Sequence, residues 1–114
     1  MPQTDLNESA QVTLDGSGNG FVTLGPSYTY QTWYPTMVNV LITPPPAVEP
    51  TFKLYRGSAG PSSYIGGTYT GSNDSSDLNG VTLNPGEKLF GVWSLGGTPG
   101  GVASMTITGK ISTP

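Results

Sequence analysis

The chain has 114 residues, of which 34% are hydrophobic and 10% charged, with a net charge of −3 and neither Cys nor His. That length suits one domain with a modest core, and the missing residue types exclude disulfides, thiolate chemistry, the usual general base and the best transition-metal ligands. Lys53, Arg56, Lys88 and Lys110 are its only basic residues, too few for the phosphate-neutralising patch that nucleic-acid binding needs.

Residues 1–8 (MPQTDLNE) are polar and read as an extended arm, ordered only when a partner holds it. A first strand follows, with Ala10, Val12 and Leu14 on one face and Gln11 and Thr13 on the other. The dense turn signal Asp15-Gly16-Ser17-Gly18-Asn19-Gly20 then predicts a hairpin with Phe21–Leu24 as its second strand. Tyr28–Tyr34 alternates, placing Tyr28, Tyr30 and Tyr34 on one side and Trp33 on the other. After Pro35, Met37–Thr43 is apolar on both faces apart from Asn39, as a central sandwich strand would be.

Pro44-Pro45-Pro46 ends that strand and forces an extended connection. Phe52–Arg56 comes next, with Phe52 and Leu54 inward and Lys53 outward. Residues 57–77 are rich in Gly, Ser and Tyr and read as irregular, with a short strand at Gly67–Thr70. Leu78–Leu83 and Lys88–Leu95 flank Asn84-Pro85-Gly86-Glu87, which has the Pro at i+1 and Gly at i+2 of a type II turn. Val102–Ile111 closes the chain, with Ala103, Met105 and Ile107 alternating against Ser104, Thr106 and Thr108. Seven or eight short strands with turn signals between them predict an antiparallel β-sandwich or jelly roll in residues 9–114.

Little in this inventory suits catalysis. The seven carboxylates are Asp5, Glu8, Asp15, Glu49, Asp74, Asp77 and Glu87. They fall in the arm, in turns and beside Pro, not paired across a cleft as glycoside hydrolysis requires. No enzyme and no cofactor are expected. Asn73, Asp74 and Asp77, in a Gly/Ser/Asp loop, are the best oxygen ligands for Ca²⁺; the plainer reading is a turn whose side chains satisfy the backbone. Gly96–Gly101 lacks the Gly-Lys-Ser/Thr ending of a phosphate loop, and no helix follows it. Tyr28, Tyr30, Trp33 and Tyr34, joined by Tyr64 and Tyr69, could stack on sugar, but core or subunit-interface roles fit such residues better. No apolar run approaches the roughly 20 residues of a membrane span, and the absence of a signal segment leads us to expect synthesis in the cytoplasm.

The phrases FKLYRG, YIGGTYTGSNDSSDL, LNPGEKLFGVW and GGTPGGVASMTITGKI, spread over Phe52 to Ile111, resemble small β-sandwich decoration and head-fibre proteins of tailed bacteriophages. The resemblance covers about half the chain and rests on turn-and-strand phrasing, not on a diagnostic motif. It implies a virion protein on the capsid exterior, bound to the major capsid protein as an oligomer, a trimer being favoured. It also implies attachment by strand addition through an N-terminal segment, here Gln3 to Val12. Gln3, Leu6, Tyr28, Tyr30, Trp33 and Tyr34 are then the interface residues to examine. The alternative is a carbohydrate-binding or host-recognition module of a virion fibre or tail.

Overall fold

A computed structural model of the chain describes residues 3–16, 18–26, 31–43, 50–57, 64–67, 73–78, 80–94 and 101–113. They form β1 (Gln3–Thr13), β2 (Gly20–Leu24), β3 (Thr32–Thr43), β4 (Thr51–Arg56), β5 (Tyr64–Gly67), β6 (Asn73–Asp77), β7 (Leu89–Ser94) and β8 (Val102–Ser112). Two four-stranded antiparallel sheets result, in the orders β1-β8-β3-β6 and β2-β7-β4-β5. The pairings nest, β1 with β8, β2 with β7, β3 with β6 and β4 with β5. A long double-stranded ribbon of this kind is rolled up when β3 also joins β8 and β4 joins β7. That is the eight-stranded jelly roll, in the expected all-β sandwich class.

The period-two pattern of the strands decides which side chains meet between the sheets. Ala103, Met105 and Ile107 of β8 and Leu54 of β4 are wholly buried, with Phe52, Val38, Val40 and Ile42 beside them. The Phe52 and Trp93 rings stand 4.9 Å apart at 53°, a tilted arrangement that suits the ring quadrupoles. Gly91 makes room for them. A Cβ there would lie 2.6 Å from Met105 Sδ and 2.8 Å from Phe52 Cε1.

Several local expectations are met. Glu87 N donates to Asn84 O at 3.0 Å, closing the turn, and Gly86 has the positive φ (86°) that a type II turn requires. The central position expected for Met37–Thr43 is that of β3 in its sheet. Tyr28–Tyr34 and Met37–Thr43 are not two strands, however. Thr32 to Thr43 is one strand whose register against β8 shifts between Pro35 and Met37. The bulged Thr36 presents its carbonyl to Leu78 N at 2.8 Å, so the interruption is itself bonded.

Other expectations are corrected. The Asp15–Asn19 turn forms, with Gly18 N on Asp15 O and Asp15 N on Asn19 O, both 2.9 Å, but β1 and β2 are not a hairpin. Before the turn, Leu14 N bonds Gly101 O next to the β1–β8 pairing, while after it Gly20 pairs with Trp93 in the other sheet. Gly20 permits this crossing of the sandwich, since a Cβ there would stand 3.0 Å from Leu14 Cδ2 and 3.1 Å from Val12 Cγ1. The expected free arm is, from Gln3 on, the first half of β1, paired with β8 from Gln3↔Ser112 to Thr13↔Val102. Leu6 anchors it in the core.

In the stretch expected to be irregular lies β5, Tyr64–Gly67; of the short strand expected at Gly67–Thr70, Thr68–Thr70 lie outside the described residues. Leu78–Leu83 is not a strand among its described residues. Leu83 makes a single bridge to Trp33, with 2.9 Å bonds in both directions. Pro44-Pro45-Pro46 and most of Gly96–Gly101 lie outside the described residues.

Candidate interaction surfaces

The first sheet turns a mainly polar face outward, with Asp5, Lys110 and Asp77 as its charges among the described residues. In register across β1, β8, β3 and β6 lie Ser9, Thr106, Asn39 and Ser75, then Gln11, Ser104, Leu41 and Asn73. Ser9 Oγ and Thr106 Oγ1 are hydrogen-bonded at 2.9 Å. Leu41, 47% exposed, and Val102, 37% exposed, are apolar exceptions. Short hydroxyls and amides at alternate positions produce this face directly, because one side of each strand faces solvent.

Two of the expected interface residues, Gln3 and Tyr34, lie toward one end of this face, on either side of β8. Tyr34 and Asp5 flank Lys110 in one cross-strand row, and Gln3 lies two residues beyond Asp5. Lys110 Nζ donates to Asp5 Oδ1 at 2.6 Å, and that hydrogen bond, with the lysine charge, lowers the Asp5 carboxyl pKa. The pair is open to water and well screened.

Leu6 and Trp33 are not surface residues, being 2% and 4% exposed. Both fall on the inward phase of their strands, Leu6 with Ala10 and Val12, Trp33 opposite Tyr34. Tyr28 and Tyr30 lie outside the described residues. A stacking platform combining Trp33 with Tyr34 is therefore ruled out by strand alternation.

The expected Ca²⁺ loop is a strand. Asn73, Asp74 and Asp77 belong to β6, paired with β3 from Leu41↔Asn73 to Met37↔Asp77. Asp74 points to the opposite face from Asn73 and Asp77, and the latter two stand four strand steps apart, roughly 13 Å along the backbone. They cannot converge on one ion. Among the described residues no three His, Cys, Asp or Glu side chains gather as a metal site.

The second sheet has the opposite character. Its outward row Thr23, Phe90, Tyr55 and Tyr64 crosses β2, β7, β4 and β5, and Phe21, Val92 and Lys53 form the next row. Phe21 is 60% and Tyr64 52% exposed, and the Tyr55 and Tyr64 rings meet edge-on at 5.8 Å. Phe21, Phe90 and Val92 wall a cleft of about 490 Å³ that Asp15, Asn19 and Ser94 complete. The Asp15–Asn19 turn positions its polar side, with Asn19 N donating to Asp15 Oδ1 at 3.0 Å.

Of this aromatic face the sequence pointed to Tyr64 alone, because its members come from four strands and register alone assembles them. One signal was present. Leu89-Phe90-Gly91-Val92-Trp93 is apolar in both phases, so its strand has an apolar outer side as well as a core side.

At the far end of the same sheet, Arg56 Nη2 donates to Glu87 Oε1 at 2.8 Å and Oε2 at 3.1 Å. Asn84 N also donates to Glu87 Oε1, at 2.8 Å. The Arg56 hydrogen bonds, followed by that of the Asn84 backbone, hold the Glu87 carboxyl below its ordinary pKa. The pair locks the type II turn to β4 and has a structural role.

No protein-family model matches the chain, and no curated protein matches it either.

Proposed function

We propose that this chain is a structural virion protein of the decoration type, without catalytic activity, that docks on the outer surface of a capsid and stabilises it. One observation supports docking above all. Of the four edge strands, β2, β5 and β6 have 5, 4 and 5 residues, whereas β1 has 11. Natural sheets blunt their edges by keeping them short or charged. A long edge, paired among the described residues with β8 alone, offers a row of backbone groups to an extended segment of a partner.

The attachment assigned to Gln3–Val12 is thus addition of a capsid-protein strand to an ordered β1, not capture of a free arm. Assembly as an oligomer, a trimer in the favoured case, would add buried area at subunit seams and raise shell stability by mass action.

The test combines sedimentation of the isolated protein, co-sedimentation with purified particles and hydrogen exchange of the bound form. Oligomers that bind shells and gain protection in the β1 amides are expected. A monodisperse monomer with no affinity for any shell would sink the proposal. A second reading, carbohydrate binding in host recognition, is favoured by the aromatic outer face of the second sheet.

A further inference from the structure

We infer that the cleft between the Asp15–Asn19 turn and the outer face of β2 and β7 binds a neutral oligosaccharide, which continues across the sheet over Tyr55 and Tyr64. This rests on the second reading above and is independent of docking through β1. Sugar rings combine an apolar face of C–H groups with a rim of hydroxyls, and the cleft has matching parts. Phe21, Phe90 and Val92 supply apolar lining, and Asp15, Asn19 and Ser94 are its polar lining residues. A volume of about 490 Å³ lies within the usual range of small-ligand sites, which are mostly apolar with a few placed polar groups.

The charge pattern selects among ligands. Among the described residues no Lys or Arg lines the cleft itself, and Lys53, one strand beyond Val92 in the row of Phe21, is the exposed cation of this face, so an anionic ligand seated in the cleft would meet the Asp15 charge first. A purely apolar ligand would strip water from Asp15 and Asn19 and return no hydrogen bond. A single carboxylate at an exposed position gives a cation little, because water and salt screen it. Hydroxyls can donate to Asp15 and exchange either way with Asn19 and Ser94.

The site is also longer than one ring. Phe21 opposes Val92, and Thr23 opposes Phe90, so Phe21 and Phe90 are diagonal neighbours about 7–8 Å apart at Cα. Phe90 is level with Tyr55, and Tyr55 with Tyr64. At about 4.8 Å between strands the surface from β2 to β5 spans roughly 14 Å, enough for successive rings of a chain. Tyr55 and Tyr64 each bring an apolar ring and a hydroxyl tip, the combination that suits such a ligand.

The experiment is an amide-detected NMR titration of the full chain with cellohexaose, maltohexaose and chitohexaose, taken separately to millimolar concentration. Saturable shifts centred on Asn19, Phe21, Phe90 and Val92 are expected with at least one of the three. Phe21→Ala should weaken that binding by about tenfold, the scale of one aromatic contact, and Phe21→Trp should retain it. Phe21 is exposed, and unchanged thermal unfolding of both variants would show that the fold is kept. Saturable shifts that map elsewhere would overturn this site while leaving carbohydrate binding standing. No response to any of the three sugars would overturn both. A concentration-dependent dimer abolished by Phe21→Ala would assign the cleft to a second copy of the chain and overturn the inference as well.

Discussion

Gly109 of β8 lies so close to Pro35 of β3 that a Cβ on the glycine would stand 2.8 Å from the proline Cα. It would also run into the Tyr34 carbonyl. Gly109 has φ = 155°, which side-chain-bearing residues rarely adopt. Pro35 has no amide hydrogen for the ladder, and the register shift that follows it in β3 is accommodated opposite this one glycine. Gly109→Ala is therefore expected to destabilise the domain by about 3 kcal/mol or more, from backbone strain and the clash together. Chemical denaturation of the two proteins measures it, and a change below about 1 kcal/mol would mean that the strands separate freely at this point.

Gly91 is a second packing position, but the obstruction there is side chain. A methyl group at residue 91 would meet Met105 Sδ, which can move, and the Phe52 ring at 2.8 and 2.9 Å, which is held against Trp93. Gly91→Ala should cost about 1–3 kcal/mol, the usual effect of overpacking. Gly16→Ala is the control, since no atom lies within 4 Å of its Cβ position, and it should change the unfolding midpoint little.

These glycines show what the sequence could reveal and what it could not. Alternation alone put Phe52 and Leu54 inward and set Ala103, Met105 and Ile107 together on one face, because a half-buried strand writes its faces into the period. The Asn84–Glu87 turn was equally legible, since Pro and Gly restrict φ locally. Long-range pairing was not. The Asp15–Asn19 turn has the same chemistry whether the next strand joins the same sheet or crosses to the other, and Gly20 against Leu14 decides that only in three dimensions. Polar Asn73–Asp77 looked like a loop because an edge strand with little core contact needs no apolar face. The cleft under Phe21 was hidden for the same reason as the sheet order, being built from residues more than 60 positions apart.

The Arg56–Glu87 pair makes stability depend on pH. The Glu87 carboxyl pKa is lowered in the folded state, first by the Arg56 hydrogen bonds and then by Asn84. A group of this kind contributes its full stability above its unfolded-state pKa and loses it as pH falls through the folded-state pKa. The two side chains are 36% and 33% exposed, so solvent screening keeps the contribution to about 0.5–1 kcal/mol. Glu87→Gln should lower the melting temperature by a few degrees at pH 7, and the gap should close in acid below the ordinary carboxylate range. An equal gap at both pH values would show that the turn needs the side chain's shape and not its charge.

Leu6 provides the sharpest contrast between a free arm and an ordered β1. Its neighbours Asp5, Asn7 and Glu8 are all exposed polar residues, so its local sequence gives no sign of burial, yet it is 2% exposed and part of the core cluster. Its partner across the ladder is Gly109, which places it beside the bulge, where β8 offers no side chain. Truncating a buried Leu removes its transfer free energy and leaves a cavity, about 2–4 kcal/mol together. Leu6→Ala should therefore lower stability by that amount in the isolated protein, with no partner present. A free arm predicts no change at all, so one denaturation curve separates the two. Hydrogen exchange adds a second readout: in the native protein the ladder amides joining Gln3–Glu8 to β8 should be protected, and Leu6→Ala should release them before those of Ala10–Thr13. Protection that stayed uniform along β1 in the variant would mean that pairing with β8, and not the Leu6 anchor, fixes this end of the strand.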